Sequence, residues 1–268
     1  VILPHLAISS EEAEKLFHAD DVEINEKLEE LSGNRHGTMA GIIASDGIEY
    51  MKTVVSQTNA VGKGNAATWV NSFGLDSKAQ TDGNALGYHH KSKGFAAGFG
   101  FGLMDAITIG VHGGMTWSDV TFGADEGQGR TKEDGAYITG DLDFLNFTAA
   151  YSHGWHDIET NRYLNLLGTA QNVTDTKSHK AEFEARIPFQ LDQVTVEPVG
   201  GINYAKINGV AIHETGASIA NLTGTTEEFN GTQVHGGLRL SARLPVRNTG
   251  VITPSAQVKF VQELLGAT

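Results

Sequence analysis

Residues 107–118, ITIGVHGGMTWS, alternate without a break. Ile107, Ile109, Val111, Gly113, Met115 and Trp117 fall on one parity, and Thr108, Gly110, His112, Gly114, Thr116 and Ser118 on the other. Successive side chains of a strand point to opposite faces, so one face of this segment is apolar throughout and the other is small or polar. The pattern returns at residues 136–144, where Ala136, Ile138, Gly140, Leu142 and Phe144 oppose Tyr137, Thr139, Asp141 and Asp143. It returns again at residues 145–152, where Leu145, Phe147, Ala149 and Tyr151 oppose Asn146, Thr148, Ala150 and Ser152.

The links between such segments sort into two kinds. Residues 95–103 reach the next strand through MD, residues 136–144 run almost directly into the strand from Leu145, and QLDQ and PVRNTG are also short. By contrast GADEGQGRTKED between Phe122 and Gly135, NRYLNLLGTAQNVTD, and NGVAIHETGASIANLTGTTEEF read as long polar loops. Short turns at one end and long loops at the other predict an all-β fold, a transmembrane antiparallel up-and-down β-barrel.

Composition supports this and excludes other classes. A formal net charge of −13 argues against nucleic acid as a partner, because that binding needs a basic footprint. No apolar run approaches the ~18 residues of a membrane-spanning helix, but a barrel spreads its apolar residues over alternate positions and leaves no such run. The 33 glycines suit a curved wall, and the absence of cysteine rules out disulfides. Val1 opens no basic and apolar leader, so the chain reads as mature, processed or a fragment.

Ahead of the strands the periodicity is helical. ISSEEAEKLFHADD offers Ser9 or Ser10 as an N-cap, and DVEINEKLEELSG gathers Val22, Ile24, Leu28 and Leu31 before Gly33. A third helix is expected over residues 36–57, with Gly37, Ala40, Gly41, Ala44, Ser45 and Gly47 keeping it slim. Such a helix fits a narrow space; the plainer reading is an ordinary packed helix weakened by glycine.

Charge marks the inner face of the strands. Glu182, Glu184 and Arg186 oppose Ala181, Phe183, Ala185, Ile187 and Phe189, while His235, Arg239, Ser241 and Arg243 oppose Val234, Leu238, Leu240, Ala242 and Leu244. A charge at every second residue is costly against lipid and natural in a lumen. The expected lining is Asp141, Asp143, Glu182, Glu184, Arg186 and His235, with Arg239, Arg243 and Lys259 as countercharges. Trp69, Phe122, Tyr151, Trp155, Phe189 and Tyr204 suit interfacial girdles.

Other constellations carry less. His153 and His156 form H-x-x-H, but their odd separation puts them on opposite faces of a strand, and His89 and His90 read as solvated loop residues. Gly98, Gly100 and Gly102 resemble a nucleotide-binding loop without the helix that would receive a phosphate. No serine sits in a nucleophile elbow, so no enzyme, metal or cofactor is expected.

From about Val22 to Val261 the chain resembles the β-domain, or translocator, of bacterial autotransporters (type V secretion). The resemblance rests on LEELSGNRHGTMAGI ahead of the strands, then ATWVNSFG, GFAAGFGFGL, AITIGVHGGMTWSDV, AAYSHGWHDIETNR and VTVEPVGGINYAKI in the family's order. It implies an outer-membrane barrel of twelve strands, embedded in outer-membrane lipid and folded by the barrel-assembly machinery. It also implies a helix threading the pore toward an N-terminal passenger exported to the cell surface. On this reading residues 1–65 are helical linker and pore helix, the latter including Met39, Ile43, Tyr50 and Lys52, and residues 66–268 are the barrel. Lys52 is the expected partner of Asp141, Asp143, Glu182 or Glu184.

Two departures from the family pattern stand out. The last three strands and the terminal aromatic are missing after Thr268, so about nine of twelve strands are expected. An odd count brings the first and last strands together in parallel, which predicts free edges at residues 67–75 and 252–261 unless a parallel ladder closes them. Paired asparagines for self-cleavage are also missing, Asn59 and Asn65 standing alone. Three alternatives remain: a diffusion porin, which needs a lumen free of helix; a soluble β-rich adhesin, which needs an apolar interior; and a surface esterase, which needs a triad.

Overall fold

The computed structural model describes residues 34–58, 61–80, 87–123, 125–164, 168–246 and 250–265. The two helices expected before Gly33, and Asn59, lie outside the described residues.

One helix, α1 (Asn34–Gln57), precedes a long antiparallel sheet. Its strands are β1 (Ala66–Ala79), β2 (Tyr88–Met104), β3 (Ile107–Phe122), β4 (Asp125–Leu142), β5 (Leu145–Leu164) and β6 (Gly168–Arg186). The short β7 (Phe189–Leu191) leads into β8 (Val194–Ile207). A long connection then carries β9 (Ala211–His213), a 3-10 turn at Ser218–Ala220 and β10 (Thr223–Thr225). β11 (Phe229–Ala242), the hairpin β12 (Leu244–Val246) and β13 (Gly250–Ile252), and β14 (Ser255–Leu265) complete it. The main path runs β1-β2-β3-β4-β5-β6-β8-β11-β14, with β7 joining β8. Each strand on it pairs antiparallel with the next long strand, as an up-and-down barrel wall requires. β1 and β14 end the order and do not pair with each other, so among the described residues no parallel ladder closes the sheet.

The loop expectation needs correction at two links. Residues 125–134 of GADEGQGRTKED are strand: β3 and β4 continue pairing out to Phe122 and Asp125. Likewise β5 and β6 pair from Asn146 and Arg186 to Leu164 and Gly168, through most of the stretch read as a long loop. β5 has 20 residues, about twice the 9–11 that a tilted strand needs to cross a bilayer. Where both faces of the strand carry polar residues, the hydropathic alternation fades while the backbone ladder persists. His89 and His90 also belong to a strand, β2, and not to a loop.

The faces are sorted with polar residues inward. Val70, Phe99, Ile109, Val111, Ile138, Phe183, Ile202, Leu238, Leu240 and Phe260 are exposed on the outside. On the inner parity Thr108, His112, Thr116, Ser118, Thr131, Glu133, Thr139, Ser152, His156 and Lys180 are buried. A packed apolar interior, which the adhesin alternative needs, would reverse this order. Tyr151, Trp155, Phe189 and Tyr204 stand on the outer face as expected of girdle aromatics. Trp69 and Phe122 do not: Trp69 donates its indole N–H to Tyr137 (3.4 Å), and Phe122 is buried beside α1.

The outer band makes a testable distinction. Val111→Arg puts a charge on the apolar face and should lower folding stability in a bilayer by roughly 2–4 kcal/mol if it lies near the midplane, whereas Val111→Leu should be close to neutral. Urea titration in phospholipid bilayers, followed by gel mobility of the unheated protein, reads the difference.

Candidate functional site

α1 is enclosed by the sheet. It packs against β1, β2, β3, β5, β6, β8 and β11, and most of its residues are buried whichever way they point. Arg35 at its start pairs with Asp125 at the head of β4 (2.6 Å). Thr58 just past its end meets Thr148 near the β4–β5 turn (3.3 Å). The helix therefore runs from the end with the long β8–β11 connection to the end with the tight turns, where the chain enters β1.

Along this axis the packing changes character. Near the first end, Met39, Ile42, Ile43 and Ala44 form an apolar cluster with Val120, Phe122, Ile158, Ile207 and Val210. Near the second, Tyr50, Met51, Val54 and Val55 cluster with Ala96, Tyr137 and Ala150. Between them lies a polar belt. Asp46 accepts from Ser118 (2.5 Å) and faces His90 (3.2 Å), and Ser77 lies 3.4 Å from the other nitrogen of that ring. This series of acid, imidazole and hydroxyl anchors the helix; the hydroxyl is beyond the ~3.2 Å reach of a nucleophile on its base.

On the other side of the belt, Lys180 of β6 donates to Glu133 of β4 (2.5 Å), and Ser152 of β5 between them donates to the second carboxylate oxygen (2.6 Å). Desolvating both charges is costly, so the pair specifies position more than it adds stability, while breaking it would leave a buried charge. A Cβ on Gly47 would overlap the Lys180 side chain, so glycine is what lets the helix lie against that lysine. Gly37 and Gly41 have open space around the same position. Lower down, His112 donates from Nε2 to the Tyr151 carbonyl (3.1 Å), which leaves Nδ1 to accept from the Tyr50 hydroxyl (2.9 Å).

At the mouth a second carboxylate holds the helix start. Glu214, in the long connection, accepts from His36 Nε2 (2.9 Å), from Arg162 Nε (3.1 Å) and Nη2 (2.5 Å), and from the Leu222 backbone N–H (2.8 Å). Burial alone would raise this carboxyl; the donors from His36, Arg162 and Leu222 outweigh it and hold the group down at about 2.

With the helix and its surroundings defined, relatives can be compared. A family model for the autotransporter beta-domain matches residues 68–268. The chain belongs to the autotransporter β-domain family. Its fold is similar to that of the β-domain of the Bordetella autotransporter BrkA, with TM-score 0.62, 19% identity, and coverage of 74% of this chain and 79% of that one. It is also similar to the translocator domain of NalP from Neisseria meningitidis, with TM-score 0.64, 16% identity, and coverage of 86% and 79%. No relative among curated proteins matches significantly.

Within this autotransporter β-domain the expected lining residues fall into three groups. Glu182, Glu184, Arg186 and His235 are buried on the inner face, and Lys259 reaches Glu184 from β14. Arg239 is half-buried beside Glu197 (3.6 Å). Asp141, Asp143 and Arg243 are exposed: Asp141 lies at the end of β4, Asp143 in the turn after it, and Arg243 just past β11. They keep the lumen parity but run out of wall. On the helix, Met39, Ile43 and Tyr50 are buried in the two clusters, whereas Lys52 pairs with Glu49 one turn back (3.5 Å) and with none of the expected acids. His153 and His156 stand on opposite faces as read. His156 bridges Thr131 and Ser178 (2.8 Å each) inside, and His153 contacts Trp155 and His179 outside.

His36, Asp46, His112, Glu133, Arg162, Lys180 and Glu214 were not read as site residues in the sequence, and His90, read there as solvated, is buried. Lys180 was within reach of the parity argument, two positions before Glu182; Glu133 was hidden in a segment read as loop. Among the described residues one set has metal-ligating chemistry: Glu182, Glu184 and His235 bring ligand atoms within 4.8 Å of one another.

Two outcomes follow from this geometry. Gly47→Ala should destabilise the domain by about 1–3 kcal/mol through overpacking against Lys180. Gly37→Ala, in open space on the same helix, should stabilise it by roughly 0.5–1 kcal/mol; denaturant unfolding of both variants checks the pair. The Glu214 carboxyl is depressed on folding, so its contribution is complete above the ordinary glutamate value of about 4.3 and is lost as pH falls toward 2. A nitroxide on Ile219→Cys should therefore gain mobility over that acid window in electron paramagnetic resonance. Adding Glu214→Gln should leave it mobile at neutral pH.

Proposed function

We propose that this domain is the translocator for an N-terminal passenger, anchored in outer-membrane lipid after folding by the barrel-assembly machinery, with α1 as the pore helix. The observation that carries the reading is the path of the chain. α1 lies inside the sheet and leads from the mouth, where Arg35 and His36 are held by Asp125 and Glu214, to the tight-turn end, where β1 begins. Residues ahead of α1 would emerge at the mouth, which is the geometry for presenting a passenger at the cell surface. The division into a linker with pore helix (residues 1–65) and a barrel (residues 66–268) follows the same path. The role is transport and not catalysis.

A diffusion porin needs an open lumen, and here helix side chains fill the space between the walls. Removing residues 34–57 should raise single-channel conductance in planar bilayers several-fold, and an epitope placed ahead of residue 1 should become protease-accessible on intact cells. Unchanged conductance would remove the plug from the proposal; an epitope that stays protected in a correctly inserted protein would remove export.

A further inference from the structure

The inner wall next to the belt, further along β6, holds a group of side chains that neither the plug nor the export path uses. Glu184 of β6 and His235 of β11 are both in register with Gly201 of β8, which lies between them. A Cβ at that position would stand 2.6 Å from the His235 ring, so the imidazole crosses β8 over a glycine to come within 3.3 Å of the Glu184 carboxylate. Glu182, on the same face of β6, is in register with Asn203 of β8. Both are buried, at 3% and 5% exposure.

Glu182 is the odd member. Its carboxylate forms no ion pair among the described residues; the Asn203 carboxamide lies 3.3 Å from each carboxylate oxygen and donates to both from Nδ2 in the orientation that satisfies its other contacts. That amide is a neutral donor, so Glu182 has no cationic partner of its own. Lys259 and Arg186 are already engaged with Glu184.

We propose that Glu182, Glu184 and His235 form a binding site for a divalent transition cation. Two carboxylates and one imidazole converging within 4.8 Å are a donor set suited to Zn²⁺ or a similar ion. Lys259 is its internal competitor. The side chain is partly exposed, at 19%, and is free to swing away from Glu184 when a cation arrives, exchanging one positive charge on that carboxylate for two. Binding should weaken as pH falls, because the imidazole and both carboxylates must be unprotonated to coordinate.

The test is Zn²⁺ titration of the chelator-treated protein in detergent micelles, by competition with a chromophoric chelator. One ion per chain is expected. Glu182→Gln and His235→Ala should each weaken binding at least tenfold, and Lys259→Ala should strengthen it. The outer-face pair His153 and His179, with ring centroids 4.9 Å apart, is the rival locus. His153→Ala with His179→Ala should leave the high-affinity site intact. Fold retention is checked by the mobility of unheated samples, and Co²⁺ absorption of the unmodified protein reports imidazole and carboxylate ligation without any substitution. The proposal is overturned if the native protein and Lys259→Ala both fail to bind. It is equally overturned if the outer histidine pair accounts for all binding, or if folded Glu182→Gln and His235→Ala bind as tightly as the native chain.

Discussion

Backbone hydrogen bonding without water is the constraint on which the rest of the structure depends. In hydrocarbon an unpaired N–H or C=O costs several kcal/mol, so each strand must lie beside another along its length. Between β1 and β14 the chain meets this with neighbour-to-neighbour antiparallel pairing; the outer edges of those two strands have no ladder among the described residues. Once the ladder is fixed, alternation dictates the rest: every second side chain must be acceptable to lipid, and the others are left for the inside. Phe99, Val111 and Phe183 outside, with His112, Glu133 and Glu184 inside, are two consequences of one pleat.

The inside is not simply a wet channel. Apolar clusters around Met39 and Tyr50 grip α1 at two levels, and the polar belt between them sets its rotation and height. A hydrophobic contact tolerates sliding; Asp46 against His90 and Ser118, or Gly47 against Lys180, does not. Buried charges add little net stability when paired, but a displaced helix would leave them unpaired at a cost of about 3–5 kcal/mol each. Position is therefore specified by the penalty for moving.

Much of the wall was legible in residues 107–118 and 136–152 because lipid on one side and polar groups on the other write a period of two into the sequence. Where that contrast disappears, so does the signal. Residues 125–134 carry charge and glycine on both parities, read as a loop, and are strand. Asp141 and Asp143 obey the parity rule yet miss the lumen, since parity tells face but not depth. Cross-strand partnerships were harder still. Lys180 and Glu133 lie on strands separated by β5, and only the register, with small Ser152 between them, brings them together. Lys52 illustrates the same gap from the helix side: its partner is local Glu49, a choice set by rotation about the helix axis that the slim, glycine-rich sequence does not encode.

The placement of the ion pairs along α1 also has a mechanical meaning. A tension applied to the chain ahead of Arg35 would reach Asp125 and Glu214 before it reached the belt or the lower cluster, because those contacts clasp the first turn of the helix. They would be loaded in series with the cluster below, one layer at a time. Glu214 also holds Arg162, on the wall, so part of the load would pass from the helix into the tall β5–β6 ribbon and from there into the membrane-embedded strands. The mouth would thus act as a strain relief, in which drag on an exported chain is borne by the rim while the helix beneath it stays seated.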